Sequence, residues 1–399
     1  MSEKTIAIVV IAYNRPDSLK RLLQSLALAD YPQGERIPLL ISVDKSDNLH
    51  VAEAAENFIW EHGEKSVIMQ KENLGLKKHV LTCGDLTEKY GRIIMLEDDL
   101  YVSPSFYHFA GEALDFSEGN DYIGGISLYN HLLNVHVREP FEAVADQYDN
   151  WYFQFASSWG QAFSEEQWHG FRGWLSENDG KPLEDITMPR NVSSWSDKSW
   201  LKYYIRYLID TKKYFLYPRL SLTTNFSEEG THAKHGETNS DLQVPLADRA
   251  DAEYHYRFGT PWEMRGVYDA FFENICLKET VLRQLEPFVR TEVRTEIKTE
   301  AVAIDLYGYK PLDSQKRYLL TSKSLPFKQI KSYARSLRPI DANIFADIAG
   351  ADFFLYDTGT AAEAPQPEAA KKYLYNYKAL KIKALKTILS YRIRQKLKK

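Results

Sequence analysis

The first hundred residues alternate short apolar runs with longer amphipathic segments, and this alternation limits the possible folds more than any other feature. The apolar runs predict β-strands at residues 5–12, 39–43, 66–70 and 92–96, with helices between them. Strands that alternate with helices in this way form a mostly parallel sheet flanked by helices. The sequence therefore predicts an α/β fold, and the residues that directly follow each strand are the candidates for ligand binding.

Cysteine usage and the lengths of the apolar runs narrow the class of protein. The chain of 399 residues contains only Cys83 and Cys276, which argues against a disulfide framework and indicates a reducing compartment. Its longest apolar run, residues 6–12, is far shorter than the roughly 20 residues that a membrane-spanning helix needs. That run leads into Tyr13 and Asn14 rather than into small residues typical of a cleavage site, so we expect no signal peptide and a cytoplasmic location.

Positive charge is concentrated at the end of the chain. Residues 371–399 contain 11 Lys or Arg and no acid, whereas the residues before them carry 39 basic and 55 acidic side chains, a net charge of −16. We expect this acidic body not to bind nucleic acid. Apolar residues recur at helical spacing among the cations of the tail, a pattern typical of a helix on an anionic membrane surface. A solvated helix, or one docked on an acidic partner, fits the same pattern.

Polar residues follow the first two predicted strands. Asn14 and Arg15 come just after Ala12 at the end of the first strand, and Asp44 follows the second. Adjacent parallel strands would bring Arg15 and Asp44 to one edge of the sheet, where a carboxylate can accept from a base or ribose and an arginine can hold a diphosphate. This arrangement predicts a nucleotide pocket. The alternative is that both residues are ordinary loop charges.

Three consecutive acids, Glu97, Asp98 and Asp99, follow the fourth predicted strand. Their mutual repulsion at the end of a buried strand is relieved best by a divalent cation held through oxygen ligands. The alternative is that they cap the next helix near Ser103 and Pro104, because helix N-termini also favour carboxylates. The position at a strand end favours the metal-binding interpretation.

These motifs resemble those of nucleotide-sugar-dependent glycosyltransferases with a GT-A (Rossmann-like) fold. The resemblance spans residues 6–236, and its motifs are Ala12-Tyr13-Asn14-Arg15-Pro16, Asp44, Glu72-Asn73-Leu74-Gly75-Leu76 and Glu97-Asp98-Asp99. The acidic motif is similar to that of the N-acetylglucosaminyltransferase I family and its bacterial relatives among the family-two enzymes. The resemblance implies a GT-A domain at 1–245, with a nucleotide-binding half at 1–100 and an acceptor half at 101–245.

The resemblance also implies a role for individual residues. Asp99 would bind Mn²⁺ or Mg²⁺ directly, while Glu97 and Asp98 would contact the ribose and water around the metal. Asp44 would face the base, which would be uracil, and Arg15 would contact the diphosphate.

Further positions would complete the donor site. The motifs imply four more nucleotide contacts, which are Ala12, Asn14, Asn73 and Gly75. His232 would lie on a loop that closes over the metal and the pyrophosphate, and the sequence leaves open whether His232 or His235 points inward. A lone histidine is more often structural than a ligand, but the context Gly230-Thr231-His232 weighs the two interpretations about evenly.

The base that takes the acceptor proton is, in the related family, an acid flanked by tryptophans in the acceptor half. Asp197, between Trp195 and Trp200, is the best match and implies inversion by direct single displacement. Its spacing departs from that of the family, so other acids stay open as the base: Glu184, Asp185 and Glu229. Six of the eight tryptophans lie in this half, and we expect most of them to be core residues rather than a sugar-binding cleft.

The remaining chain is predicted to form smaller units. We expect a small C-terminal accessory domain at 246–358, with a helix at 268–289, then a linker at 359–370 rich in Ala, Glu and Pro and a basic helical tail at 371–399. The accessory domain offers no readable chemistry and could serve a homo-oligomer. The tail would place the protein at the inner face of the plasma membrane.

The function expected from these features is that of a metal-dependent inverting glycosyltransferase. It would move a hexosyl or N-acetylhexosaminyl group from a nucleotide sugar, a UDP-sugar, to a glycan or lipid-linked acceptor in polysaccharide biosynthesis. One alternative is a sugar nucleotidyltransferase, but the Gly-rich phosphate loop that such an enzyme needs after the first strand is missing. The other alternative is a catalytically silent glycan-binding or scaffold protein.

Overall fold

A computed structural model describes residues 5–226, 240–248, 255–288, 298–313 and 315–361 of the chain. In chain order the strands are β1 (Ala7–Ala12), β2 (Leu39–Val43), β3 (Lys65–Met69), β4 (Arg92–Glu97), β5 (Leu100–Val102), β6 (Ile123–Ser127), β7 (Leu133–Asn134), β8 (Glu139–Pro140), β9 (Asn150–Phe153), β10 (Gln161–Ser164), β11 (Tyr214–Pro218), β12 (Thr223–Asn225), β13 (Val267–Tyr268), β14 (Val302–Asp305), β15 (Tyr318–Thr321), β16 (Phe327–Tyr333) and β17 (Phe353–Ala361). The α-helices are α1 (Pro16–Ala27), α2 (Leu49–Asn57), α3 (Gly75–Gly84), α4 (Thr87–Tyr90), α5 (Phe106–Ser117), α6 (Glu165–Asn178), α7 (Arg190–Ser193), α8 (Trp200–Thr211), α9 (Leu277–Leu285) and α10 (Asp341–Phe345).

The described part of the chain is built on a nine-stranded, mostly parallel sheet in the order β13-β9-β11-β6-β10-β4-β1-β2-β3. The strands β4, β1, β2 and β3 are mutually parallel, which confirms the α/β prediction. Because β10 is antiparallel to both β4 and β6, the strand β6 runs in the same direction as β4, and β11 is parallel to β6. Six strands therefore end at one edge of the sheet, which we call the carboxyl edge.

The sheet is covered by helices on both faces, so its central strands are largely apolar. Every residue of β1 and β2 is buried. Even-numbered residues of β1, such as Ile8, pack in a cluster with α1, α2 and α5, whereas odd-numbered ones, such as Val9, pack with α3, α6 and α8. Burial of both faces explains why the sequence shows continuous apolar runs here rather than alternation.

A second sheet lies C-terminal to the first, in the order β14-β15-β17-β16. It has its own apolar cluster together with α9 and α10. The division that we predicted at residue 245 does not coincide with the boundary between the sheets, because Val267 and Tyr268 pair with β9 at the edge of the large sheet.

The helix predicted at 268–289 is wrong over its first turns, since α9 begins only at Leu277. The Asp269 carboxylate accepts from the backbone N–H groups of Phe271 and Glu273, at 2.9 and 3.2 Å. Phe272 adopts a φ of 64°. Local hydrogen bonds from an aspartate thus hold the backbone in a turn and delay the helix.

Other sequence expectations meet the structure only in part. Strand β17 includes residues 359–361, the start of the predicted linker, and the rest of the linker and the tail at 371–399 lie outside the described residues. In the part of the chain that is described, no helix is long and apolar enough to cross a membrane. Trp151, Trp168 and Trp200 are core residues as expected, while Trp159, Trp174 and Trp195 are partly buried against the core.

Candidate functional site

The loops at the carboxyl edge are joined to one another by hydrogen bonds. In the loop after β2, the Ser46 hydroxyl donates to the Tyr13 carbonyl at 3.2 Å, and the Asn48 amide donates to the Asn14 carbonyl at 3.0 Å. Asn48 also caps α2, accepting from the backbone N–H of His50 at 3.2 Å. The segments that follow β1 and β2 therefore form a connected rim, as expected for adjacent parallel strands.

Asp44 joins this rim to the third loop. The Asp44 carboxylate accepts from the backbone N–H groups of Lys45, Leu74 and Gly75, at 2.9, 2.8 and 3.0 Å. Gly75 begins α3 with a φ of +71°, a conformation that glycine adopts without strain. Asp44 is 4% exposed, and its hydrogen bonds to Leu74 and Gly75 fix the start of α3. Its contact with a base stays a prediction. Asn73, in the same loop, donates to the Lys45 carbonyl at 2.9 Å.

Arg15 lies against the acidic motif. Its Nη1 donates to Asp99 Oδ2 at 3.0 Å, and its Nη2 forms a short ion pair with Asp98 Oδ1. The backbone N–H of Tyr13 donates to Asp98 Oδ2 at 3.4 Å. One guanidinium thus bridges two neighbouring carboxylates, and Asp98 takes part in two bonds to the segment after β1.

Burial and charge set the electrostatics of this cluster. Burial raises the pKa of Asp98 to about 6 in spite of the opposing effect of Arg15. The pKa of Glu97 is also raised, first by burial and then by the charges of Asp99 and Asp98. Burial acts to lower the pKa of Arg15, but both aspartates outweigh it and raise that pKa, so the guanidinium stays charged. The cluster therefore holds more carboxylates than Arg15 alone can neutralise.

Asp99 retains one unused oxygen. Its Oδ1 atom is buried and has no hydrogen-bond partner among the described residues. An unpartnered carboxylate oxygen beside two further acids fits a hard divalent cation, which binds proteins through one or two carboxylates and takes its other ligands from water and phosphates. Within the described ranges no three His, Cys, Asp or Glu side chains converge on a common point, so the protein would supply only part of such a coordination shell.

The alternative that the acids cap a helix is wrong. Glu97 is the last residue of β4, and β5 (Leu100–Val102) follows Asp99 before α5 begins at Phe106. The acids therefore lie at the end of β4 and in the turn after it, and β5 separates them from the start of α5.

Asp99 also adjoins the segment that carries the predicted histidine ligand. Strand β12 pairs with β5, and the backbone N–H of Phe226 donates to the Asp99 carbonyl at 3.2 Å. The Arg21 guanidinium lies 4.2 Å from the centre of the Phe226 ring. His232, His235 and Glu229 lie outside the described residues, but the chain enters their segment directly beside Asp99.

Asp197 is not joined to this cluster by any contact within the described residues. Its side chain is 83% exposed and accepts from Lys202 Nζ at 2.9 Å, and the Lys202 hydrogen bond and charge lower the pKa of Asp197. Asp185, one of the alternative bases, pairs with Arg206 at 2.5 Å. Burial acts to raise the pKa of Asp185, but hydrogen bonds from Thr187 and Arg206 outweigh it and lower that pKa. The assignment of the base therefore stays a prediction.

Lys77, in the first turn of α3, contacts residues of the segment 179–203. Its ammonium donates to Asp179 Oδ1 at 2.6 Å and lies 3.8 Å from the centre of the Tyr203 ring. It also approaches the Asp197 carbonyl, at 3.5 Å. Lys77 thus links α3 to Asp179, Asp197 and Tyr203.

Comparison with known proteins gives limited similarity. No protein-family model matches the chain, and no curated protein matches it. Among solved structures, residues 1–349 of Staphylococcus aureus TarS in complex with UDP-GlcNAc align with a TM-score of 0.34 and 14% identity, over 57% of this chain and 60% of that one. Mannosyltransferase PcManGT from Pyrobaculum calidifontis, in complex with GDP-Man and Mn²⁺, aligns with a TM-score of 0.34 and 12% identity, over 55% of this chain and 58% of that one.

This chain therefore spans about three fifths of the length of these solved structures. At such scores the similarity adds nothing to the functional assignment, which rests on the residues of this chain. The particular resemblance to the N-acetylglucosaminyltransferase I family stays a prediction.

Some residues of the site escaped the sequence analysis. Ser46, Asn48 and Phe226 shape the rim and the acidic turn, yet none belongs to a recognised motif. Asn48 alone carried a readable signal, because an asparagine before an amphipathic segment indicates a helix N-cap. The role of Phe226 depends on the pairing of β12 with β5, which local sequence does not encode.

Proposed function

We propose that this chain is a GT-A-type glycosyltransferase that uses a nucleotide sugar and a divalent cation. The observation that carries the proposal is the cluster of Arg15, Asp98 and Asp99 at the carboxyl edge, with Asp99 Oδ1 buried and without a partner in the part of the chain that the structure describes. A cation site beside a permanently charged arginine is suited to the diphosphate of a nucleotide sugar.

The reaction needs charge stabilisation on the leaving group. As an acceptor hydroxyl attacks the anomeric carbon, negative charge grows on the departing diphosphate and has to be neutralised. A bound Mn²⁺ or Mg²⁺ would supply Lewis-acid stabilisation there, held by Asp99 and by His232 as an added ligand. Arg15 would donate from Nη1 to the diphosphate instead of to Asp99, while the ion pair of Nη2 with Asp98 would keep the guanidinium in place. Glu97 would contact the ribose.

The other residues of the rim complete the proposed donor site. The nucleotide would lie over the loops that contain Ala12, Asn14, Asn73 and Gly75, with the base towards Asp44. These loops hold one another through hydrogen bonds between side chains and the backbone, so the site would be organised before the nucleotide arrives. Preorganisation reduces the entropic cost of binding.

For the acceptor half we propose Asp197 as the base and inversion by a single displacement. The turn that carries Asp197 is fixed by Lys202, which donates both to the carboxylate and to the Trp195 carbonyl, at 2.9 and 3.0 Å. The acceptor would be a glycan or a lipid-linked saccharide, and the transferred group a hexosyl or N-acetylhexosaminyl unit from a UDP-sugar. The tail at 371–399 would hold the protein at the inner face of the plasma membrane.

A ligand screen on the full chain tests the proposal. We expect UDP or another nucleoside diphosphate to raise the melting temperature in the presence of Mn²⁺ and not in the presence of EDTA, because a ligand that binds only the native state stabilises it. We also expect slow, metal-dependent hydrolysis of one nucleotide sugar. Binding of a nucleoside triphosphate together with a sugar phosphate would instead indicate a nucleotidyltransferase, and absence of any metal-linked nucleotide binding would indicate a silent scaffold.

A further inference from the structure

A tyrosine of the second sheet contacts the helix that leads to the proposed base. The backbone N–H of Asn191, in α7, donates to the Tyr309 hydroxyl at 2.9 Å, and that hydroxyl donates to Asn191 Oδ1 at 3.1 Å. The two residues are 118 positions apart in the chain. One phenol therefore satisfies both the main chain and the side chain of a residue in the acceptor half.

Tyr309 is itself held in place by the turn between β7 and β8. Its ring stacks on His136 with centres 5.1 Å apart and planes at 11°. The His136 Nε2–H donates to the Ala270 carbonyl at 2.8 Å, and burial lowers the pKa of His136 to about 4, so this ring is neutral at physiological pH. The hydroxyl is thus presented to α7 from a fixed aromatic surface.

The residues on either side of Tyr309 are anchored as well. Lys310 forms a short ion pair with Asp269 Oδ2, and the backbone N–H of Tyr307 donates to Glu273 Oε1 at 3.1 Å. Both acids belong to the turn that follows β13. The loop of residues 306–310 is therefore clamped between the turn and α7, and it does not act as a free connection within the second sheet.

Short-range hydrogen bonds connect Asn191 to the segment that carries Asp197. The N–H of Trp195 donates to the Val192 carbonyl at 3.0 Å, one turn after Asn191. Lys202 then ties the Trp195 carbonyl and the Asp197 carboxylate to α8, at 3.0 and 2.9 Å. The segment from Asn191 to Asp197 is compact, so a shift of α7 would move the carboxylate.

We propose that Tyr309 is a positioning residue for the acceptor half, and that the second sheet serves to hold the segment that carries Asp197. This inference rests on the proposed function for its catalytic consequence, while its structural part stands apart from that function. The second sheet would then support acceptor binding and proton removal by holding Asp197 in position.

The variant Tyr309→Phe tests the structural part, because it removes both hydrogen bonds and keeps the ring stack. Loss of one or two neutral hydrogen bonds predicts amide exchange at residues 191–199 that is about 5- to 30-fold faster than in the parent. The matched control is Tyr318→Phe, a buried tyrosine of β15 in the same sheet, which should leave this exchange unchanged. Equal exchange rates at 191–199 in Tyr309→Phe and the parent protein would overturn the inference.

Kinetics test the catalytic part, with p-nitrophenyl glycosides as acceptor probes and the donor identified by the screen. Tyr309→Phe should raise the acceptor KM or lower kcat at least fivefold, while UDP binding in Mn²⁺ and the donor KM stay at the parent values. A loss confined to donor binding, or faster exchange with unchanged acceptor kinetics, would refute a positioning role. If the parent protein transfers no sugar, the proposed function fails, and the exchange measurement still decides whether Tyr309 holds the segment.

Discussion

Replacement of Asp99 by asparagine separates a cation site from a structural ion pair. Asp99→Asn preserves the shape of the side chain and one oxygen, but removes the charge that holds Arg15 Nη1 and that a metal would require. Arg15 keeps its short ion pair with Asp98. The fold should therefore tolerate the change.

The structural cost follows from exposure. The side chains of Arg15 and Asp99 are 26% and 25% exposed, so their pair is partly screened by water and contributes no more than about 1 kcal/mol to the free energy of unfolding. The effect on UDP binding in Mn²⁺ should be larger than this structural cost. A hydrogen bond to a charged group is worth about 1.5–3 kcal/mol, and a loss of that size at the cation site corresponds to roughly 10- to 150-fold in affinity. Calorimetric titration with UDP, with and without Mn²⁺, measures this effect directly.

We expect Asp99→Asn to lose most of the increase in UDP affinity that Mn²⁺ gives to the parent protein. The control is Asp17→Asn, which removes the same charge from an aspartate of α1 that is 85% exposed and paired with Lys20, and which should bind like the parent. The reasoning is refuted if Asp99→Asn retains the full Mn²⁺-dependent increase, since the ion would then have other ligands.

Three further predictions concern the base, the tail and a buried histidine. Asp197→Asn should leave UDP binding intact and reduce transfer at least a hundredfold, a typical contribution of a general base; turnover at the parent rate would assign the base to another acid. Deletion of residues 371–399 should weaken sedimentation with anionic liposomes and leave turnover on a water-soluble acceptor unchanged, and the membrane hypothesis fails if sedimentation is the same. His131 is buried, its two ring nitrogens have no partner among the described residues, and burial lowers its pKa to about 3. Because the unfolded chain takes up this proton near pH 6.5 and the folded one does not, the contribution of His131 to stability should fall as pH drops below 6.5, by about 2 kcal/mol at pH 5. In denaturant titrations across this pH range His131→Phe should show a shallower dependence, and a slope identical to that of the parent would contradict the assigned pKa.

Much of the structure of residues 1–100 could be predicted because its information is local. Strand β2 coincides with the predicted 39–43, and β1, β3 and β4 deviate by only one or two residues. Strands that are buried on both faces have nearly continuous apolar runs, and such runs can be recognised in the sequence without knowing which strands pair with them. The position of the acids at the end of β4 follows from the same pattern.

The rest of the large sheet and the second sheet were less predictable because their elements are defined by distant partners. Strand β10 is inserted antiparallel between β4 and β6, and the short strand β13 completes the edge beside β9. Strands of two to four residues carry little periodicity of their own. Their positions depend on which surfaces the remainder of the sheet leaves open.

The amino-acid sequence by itself determined the alternation of strands and helices and the placement of Arg15 and three acids at strand ends, because backbone periodicity and burial act over short distances. Only the tertiary structure decided that Arg15 bridges Asp98 and Asp99 across more than 80 residues, and that Tyr309 reaches Asn191 across 118. Such contacts depend on the packing of whole layers, which no local pattern records. The unpartnered oxygen of Asp99 is likewise a property of the folded site, since it depends on where the neighbouring donors of the described residues lie.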